Sequence, residues 1–212
     1  MSKEKDLMEI RFIYFDLGRV LLDFTHEQGF QQIATVTGLT PDVVNKALVG
    51  EGLSDRYETG ELSTAEFHSK FCELTKSTPT VEELTQAWAD IFSIIPASVG
   101  VASSLKAAGY RVGILSNTCE AHWEFARKKF RVLDQLFEPV ITSYEVRSMK
   151  PDAGIYQAAA KAANCEPSEL FFIDDREENV EGARSQGWNA ELFTSPLKLA
   201  NDLERLGLEF NR

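Results

Sequence analysis

Three apolar runs of this sequence end on residues that could do chemistry together. Residues 10–15 are β-branched or aromatic apart from Arg11, and they stop at Asp16, with Leu17, Gly18 and Arg19 behind it. A second run stops at Ser116, Asn117 and Thr118, and a third stops at Asp174 and Asp175. Short apolar runs of this kind fill buried parallel strands. Ligands of open α/β sheets bind just beyond the carboxyl ends of such strands. Alone, Asp16 followed by Leu17 and Gly18 reads equally well as an ordinary polar turn. With the other two runs it becomes one of three carboxylates converging on one sheet edge. Three close carboxylates repel and do not all stay ionised without a cation. Ligands made only of oxygen suit Mg²⁺, which keeps waters and accepts one or two carboxylates plus a substrate phosphate. Ser116 and the amides after it, at a helix start, form an anion site. Lys150, just ahead of Pro151, adds a fixed positive charge. A carboxylate nucleophile, a divalent cation, a hydroxyl-and-amide cradle and a lysine are the parts that move a phosphoryl group.

Bringing those strand ends together requires a parallel sheet, and the sequence from residue 98 onward supplies one. Residues 98–108 read as a helix stopped by Gly109, 111–116 as a strand, 119–130 as a helix, 138–142 as a strand and 152–163 as a helix. Residues 170–174, 177–186, 189–193 and 196–206 continue as strand, helix, strand and helix, with Gly187 as a further stop. Such alternation gives right-handed crossovers and a parallel sheet covered on both faces. Residues 25–95 differ, carrying helix-period apolar positions and little strand signal. Thr40-Pro41-Asp42, Ser63-Thr64-Ala65-Glu66 and Thr80-Val81-Glu82-Glu83 each read as a helix start. Phe67, Phe71, Trp88 and Phe92 then form the core of a small bundle. The expected class is α/β, a Rossmann-like parallel sheet with helices on both faces and an inserted all-helical block. Residues 1–24 and 96–212 make the core, and residues 25–95 make the insert.

Composition narrows the partners. The 212 residues carry a formal net charge of −11, which argues against nucleic acid and anionic membrane surfaces, because both need a basic face. Cys72, Cys119 and Cys165 lie far apart, with no zinc spacing and no disulfide framework, which fits a reducing cytosol. Residues 1–9 are charged without an apolar core, so no signal peptide is expected. No run approaches the roughly 18 apolar residues that span a membrane. The expected location is the cytoplasm, with a small phosphorylated metabolite as partner and the oligomeric state left open.

Four stretches resemble the ordered motifs of the haloacid dehalogenase superfamily: residues 15–21 (FDLGRVL), 114–118 (ILSNT), 149–156 (MKPDAGIY) and 172–179 (FIDDREEN). The likeness spans nearly the whole chain, and the insert is similar to that family's cap. It runs nearest to the α-D-glucose-1-phosphate phosphatase type, which the cap stretch at residues 56–63 (RYETGELS) also resembles. The resemblance implies that Asp16 attacks phosphorus and forms an aspartyl-phosphate. The other Asp16 oxygen, the Gly18 carbonyl and Asp174 would hold Mg²⁺, with Asp175 supporting the metal partly through water. Ser116 and the Asn117 amide would bind phosphate oxygens, and Lys150 would bridge phosphate and nucleophile.

Two positions depart from the family pattern. Most phosphatases of the superfamily place a second aspartate two residues after the nucleophile as general acid and base, where this chain has Gly18. The next position, usually glycine, is Arg19, read here as a loop charge or as a contact to the substrate anion. A general acid contributes about 10²- to 10⁴-fold, so its loss favours leaving groups that need little protonation, such as the hemiacetal oxygen of a sugar 1-phosphate. His26, His68 and His122 have no partner at metal-ligand spacing and read as surface or satisfied histidines, with His122 nearest to the cleft. Arg147 and Arg176 read as charge balance, and Asp23 as a hinge residue. Besides a Mg²⁺-dependent phosphomonoester hydrolase, two functions stay open. One is 2-haloacid dehalogenation, which uses the same nucleophile on carbon without metal and meets repulsion from the Asp174-Asp175 pair. The other is a non-catalytic phosphate- or partner-binding module that has lost its acid at Gly18.

Overall fold

The computed structural model describes residues 10–211. The signal-peptide expectation concerns residues 1–9, which lie outside the described residues. Seven strands form: Phe12–Phe15 (β1), Leu22–Phe24 (β2), Phe92–Ile94 (β3), Arg111–Ser116 (β4), Val140–Thr142 (β5), Leu170–Asp174 (β6) and Asn189–Leu192 (β7). Five of them make a parallel sheet in the order β5-β4-β1-β6-β7. β1 takes the middle, and all four of its residues are buried, as a strand covered on both sides requires. Its residues alternate between two cores, as the period of two requires. Ile13 and Phe15 face one core with Ile114 and Ile173, while Phe12 and Tyr14 face the other with Leu115 and Phe172.

Helices cover both faces. Numbered along the chain they are His26–Thr37 (α1), Pro41–Asn45 (α2), Leu53–Glu58 (α3), Thr64–Thr75 (α4), Val81–Ala89 (α5), Pro96–Ala107 (α6) and Glu120–Lys129 (α7). Val132–Leu136 (α8), Ser143–Val146 (α9), Ala153–Ala163 (α10), Glu177–Ser185 (α11) and Pro196–Arg205 (α12) follow. The Ile13 face packs on α6, α7 and α12 through Leu105, Ala126 and Leu203, and the Tyr14 face packs on α10 and α11 through Ala159 and Val180. No described helix is long and apolar enough to cross a membrane.

Between β2 and β3 the chain is helical, from α1 to α5, with a π turn at Lys46–Gly50. Its own core joins Phe30, Leu48, Tyr57, Phe67, Phe71 and Trp88. The three expected helix starts are present. Thr40 accepts from the Val43 amide, and Ser63 and Thr80 each close a capping box with Glu66 and Glu83. Phe92 departs from the expectation of bundle core. It sits in β3, antiparallel to β2 and opposite Phe24, and packs into the core of the sheet. Phe92-Ser93-Ile94 alternates apolar and polar with period two, and its partner strand lies nearly seventy positions upstream, too far for local pattern to reveal. The two-stranded ribbon is where the chain leaves and re-enters the sheet domain.

Candidate active site

Register aligns the strand ends. Phe15 lies opposite Ile114 on one side and Ile173 on the other, so Asp16, Ser116 and Asp174 emerge along one edge. The Asp16 amide donates to the Ile173 carbonyl at 2.8 Å, extending that register one residue. Ligand oxygens of Asp16, Asp174 and Asp175 lie within 4.8 Å of one another. They border a cavity of about 540 Å³, which Asp16, Ser116, Asn117, Lys150 and Asp175 line together with residues of the helical insert.

Lys150 balances this charge from below. Its ammonium is buried and uses all three donors: 2.8 Å to Asp16 Oδ1, 2.6 Å to Asp174 Oδ2 and 3.0 Å to the Leu115 carbonyl. Burial alone would lower the Lys150 pKa, but Asp16 and Asp174 outweigh it and hold the group above its ordinary value. Burial pushes the Asp16 carboxyl up to about 7 against the pull of Lys150, and Asp174 pushes the same way as burial. The Leu17 amide donates to Asp16 Oδ1 at 2.7 Å and fixes the carboxylate plane.

Asp174 and Asp175 differ. Asp174 is fully buried and accepts from Lys150, from the Arg176 amide at 2.9 Å and from Asn179 Nδ2 at 3.0 and 3.1 Å. Asp175 faces the cavity, and burial followed by the charge of Asp174 raises its pKa. Asn179 is a site residue to which the sequence reading gave no role. It sits one helical turn past the strand end on α11, which its position in residues 172–179 could have signalled.

Asn117 ties two loops together, donating from Nδ2 to the Lys150 carbonyl at 2.9 Å and accepting from the Lys150 amide at 2.8 Å. The expected row of free amides after Ser116 is shorter than the sequence suggests. The Thr118 amide donates to Ser143 Oγ at 2.9 Å and the Ala121 amide to the Tyr57 hydroxyl at 3.1 Å. One amide of the first turn of α7, that of Ala121, is therefore taken by the insert.

Gly18 answers to a close approach. A Cβ there would lie 2.7 Å from Cε1 of Phe24, whose ring occupies the space beside the nucleophile. Arg19, with φ 59, sits at the cavity rim, pairs with Asp23 at 3.1 Å and stacks 4.8 Å from the Phe24 ring. The opposite wall comes from the insert. His26, Phe30 and Trp88 stack with interplanar angles of 12° to 23°, and Glu58 lines the cavity beside them. His122 also lines it, but Nε2 donates to the Trp88 carbonyl at 3.1 Å and burial lowers its pKa to about 3, so it is a neutral structural group. His68 donates to the Pro79 carbonyl at 2.7 Å, as a satisfied histidine should.

The chain is similar to proteins of known activity and structure. D-ribitol-5-phosphate phosphatase of Bacteroides thetaiotaomicron is 25% identical over 84% of this chain and 89% of its own length. (S)-2-haloacid dehalogenase 1 of a Pseudomonas species is 31% identical over 55% of this chain and 50% of its own. The crystal structure of a HAD family enzyme from Bacteroides thetaiotaomicron, in complex with magnesium and inorganic phosphate, superposes with a TM-score of 0.77 at 26% identity, covering 87% of this chain and 94% of that one. The narrower likeness to the α-D-glucose-1-phosphate phosphatase type rests on the sequence motifs alone. The profile described as "Hydrolase: haloacid dehalogenase-like hydrolase" matches residues 10–187, and the chain belongs to that family.

Proposed function

We propose that this protein is a Mg²⁺-dependent phosphomonoester hydrolase that acts on a small phosphorylated metabolite through an aspartyl-phosphate on Asp16. The observation that carries the reading is the triplet of carboxylates, Asp16, Asp174 and Asp175, set around one buried lysine at the floor of an open cavity. Lys150 is one positive charge against three negative ones, and an all-oxygen donor set of this kind fits Mg²⁺. The donors are Asp16, the Gly18 carbonyl, Asp174 and Asp175. With Asp174 engaged by Lys150 and Asn179, Asp175 offers the carboxylate open to the cavity. When bound, Mg²⁺ would neutralise phosphate oxygens as charge develops on them. Asp16 attacks phosphorus and the ester P–O bond breaks, and water then cleaves the aspartyl-phosphate. Ser116 Oγ and the Asn117 amide hold phosphate oxygens, and Lys150 orients Asp16 and opposes its protonation. Residues 25–95 act as the cap that encloses the leaving group, with residues 1–24 and 96–212 as the catalytic core.

The relatives named above include a polyol phosphatase and a dehalogenase. Asp175, open to the cavity, favours phosphate over a haloacid, because its uncompensated charge would repel a carboxylate substrate. The test is a panel of sugar and polyol phosphates assayed with Mg²⁺ and with excess chelator, followed by rapid-quench mass spectrometry. Chelation should stop turnover, Mg²⁺ should restore it, and the trapped phosphate should sit on Asp16 and vanish in Asp16→Asn. Full activity in chelator, or phosphate on another residue, would sink the mechanism.

A further inference from the structure

We propose that Glu58, on the cap, is the general acid and base of this site, a role that rests on the phosphomonoesterase reading above. The family's usual acid position is Gly18, and the Phe24 ring fills the space a carboxylate would need there. Glu58, on the cap, instead lines the same cavity, with its carboxyl within reach of the charge of Arg176, which also lines it. Three contacts with the sheet domain hold it there. Its carbonyl accepts from the Ser143 hydroxyl at 2.7 Å, and that hydroxyl in turn accepts from the Thr118 amide, beside the phosphate-binding Asn117. The preceding Tyr57 takes the Ala121 amide on its hydroxyl. Two residues on, Gly60 has φ +72, and a Cβ there would lie 2.2 Å from the Tyr144 carbonyl oxygen. The backbone of residues 57–60 is thus pinned to the rim of the phosphate site, while no described residue hydrogen-bonds the Glu58 carboxyl itself.

The other candidates at the cavity are engaged or unsuited. His26 stacks on Phe30 and Trp88, and burial lowers its pKa, so it holds no proton to donate near neutrality. His122 is a neutral donor to Trp88, and Arg19 pairs with Asp23. Asp55 and Glu27 are exposed at the mouth. Burial pushes the Glu58 carboxyl up to about 7, with Asp55 adding to the rise and Arg176 opposing it. The Cys119 thiol beside it stays protonated, because burial raises its pKa, and Asp16, Lys150 and Asp175 face it across the cavity. A carboxyl poised near neutrality serves both directions of proton transfer.

The steps then balance. Asp16 forms its bond to phosphorus as the ester P–O bond breaks, and Glu58 gives its proton to the departing alkoxide, which leaves as the alcohol. Water next attacks phosphorus, Glu58 takes the water's proton, and the Asp16–phosphorus linkage breaks to release phosphate. Asp16 returns as a carboxylate and Glu58 as the acid. With Glu58 in place the leaving group need not be acidic, so simple alkyl phosphates come within reach alongside sugar 1-phosphates.

The experiment compares the parent with Glu58→Gln, with Mg²⁺, on a polyol phosphate and on p-nitrophenyl phosphate, whose leaving group needs no proton. The variant should lose about 10²- to 10⁴-fold in kcat/KM on the polyol ester and stay within a few-fold on the aryl ester. On the aryl ester it should show a burst of nitrophenolate followed by slow turnover, as the phosphoenzyme waits for a base. The parent's kcat/KM on the polyol ester should fall above pH about 7 as the acid deprotonates, and the variant should lack that limb. Equal slowing on both esters, or retention of the limb, overturns the assignment of Glu58 alone. A parent inert toward both esters overturns the phosphomonoesterase reading and this role with it.

Discussion

The cavity has two sides built on opposite principles. On the sheet side, Asp16, Ser116, Lys150 and Asp174 are at most 8% exposed, and bonds from Lys150 and Asn179 lock the charged three together. On the cap side, His26, Phe30, Trp88 and Glu58 present ring faces and one carboxyl, held by packing and backbone contacts. A network of buried charges tolerates no loss of a partner, because an unpaired buried charge costs several kcal/mol. An aromatic wall tolerates exchange, since its contacts are many and individually small. The sheet side therefore suits chemistry that stays constant, and the cap side suits the choice of substrate and the handling of its proton.

The strongest way to break this contrast is Lys150→Met. Asp16 and Asp174 would face each other without the ammonium between them, and the Leu115 carbonyl would lose its donor. Removing one member of such a buried network costs about 3–5 kcal/mol. The variant should show a melting temperature many degrees below the parent's and no turnover. Because Mg²⁺ would supply the missing charge, added Mg²⁺ should raise the variant's melting temperature more than the parent's. Thermal scans with and without Mg²⁺ check this, and equal responses would mean that the carboxylates do not share one cation site.

Gly18→Asp probes the border between the two sides. From sequence alone, restoring the aspartate should restore an acid. The Phe24 ring, 2.7 Å from the new Cβ, changes that expectation. Phe24 stacks under Arg19 and packs on Phe92, so it yields only with a shift of the β2–β3 ribbon. Overpacking of this kind costs about 1–3 kcal/mol. The variant should unfold at lower denaturant concentration and gain nothing on alkyl phosphates. A ten-fold gain there would show that the ring swings aside and that position 18 can still house the acid.

The sheet side was legible in the sequence and much of the cap side was not, for a physical reason. Asp16, Ser116 and Asp174 end apolar runs whose parallel register is imposed by right-handed crossovers, so three linear positions become one edge. Helix starts were equally legible, because capping at Ser63 and Thr80 is local chemistry. What escaped depends on contacts between distant segments. Phe92 reads as helix until its partner β2 is known, and nothing local places the Phe24 ring beside Gly18. The different roles given to Asp174 and Asp175 came from the family resemblance; what buries the one and leaves the other at the cavity is the end of β6 at Asp174 and the approach of Asn179 from α11. Glu58 stands in a stretch that resembles the family's cap, yet nothing in its neighbours says that Ser143, far downstream, pins it to the phosphate loop.

The smallest expected effect sharpens the contrast from the cap side. Ser63 caps α4, accepting from the Glu66 amide at 3.3 Å, and stands exposed beyond the turn that follows Glu58. Ser63→Ala leaves that amide to water and costs about 1 kcal/mol, or a fall of about 2–4 °C in melting temperature for a chain of this size. The loss falls on the start of α4 and not on the pins at Ser143, Ala121 and Tyr144, which position residues 57–60. Stability should therefore drop while kcat/KM on a polyol phosphate stays within two-fold of the parent. Differential scanning calorimetry beside steady-state kinetics separates the two quantities. A large fall in kcat/KM on the polyol phosphate with the aryl ester unchanged would mean that Glu58 is held by the α4 cap after all, and that the cap moves as a whole against the sheet edge.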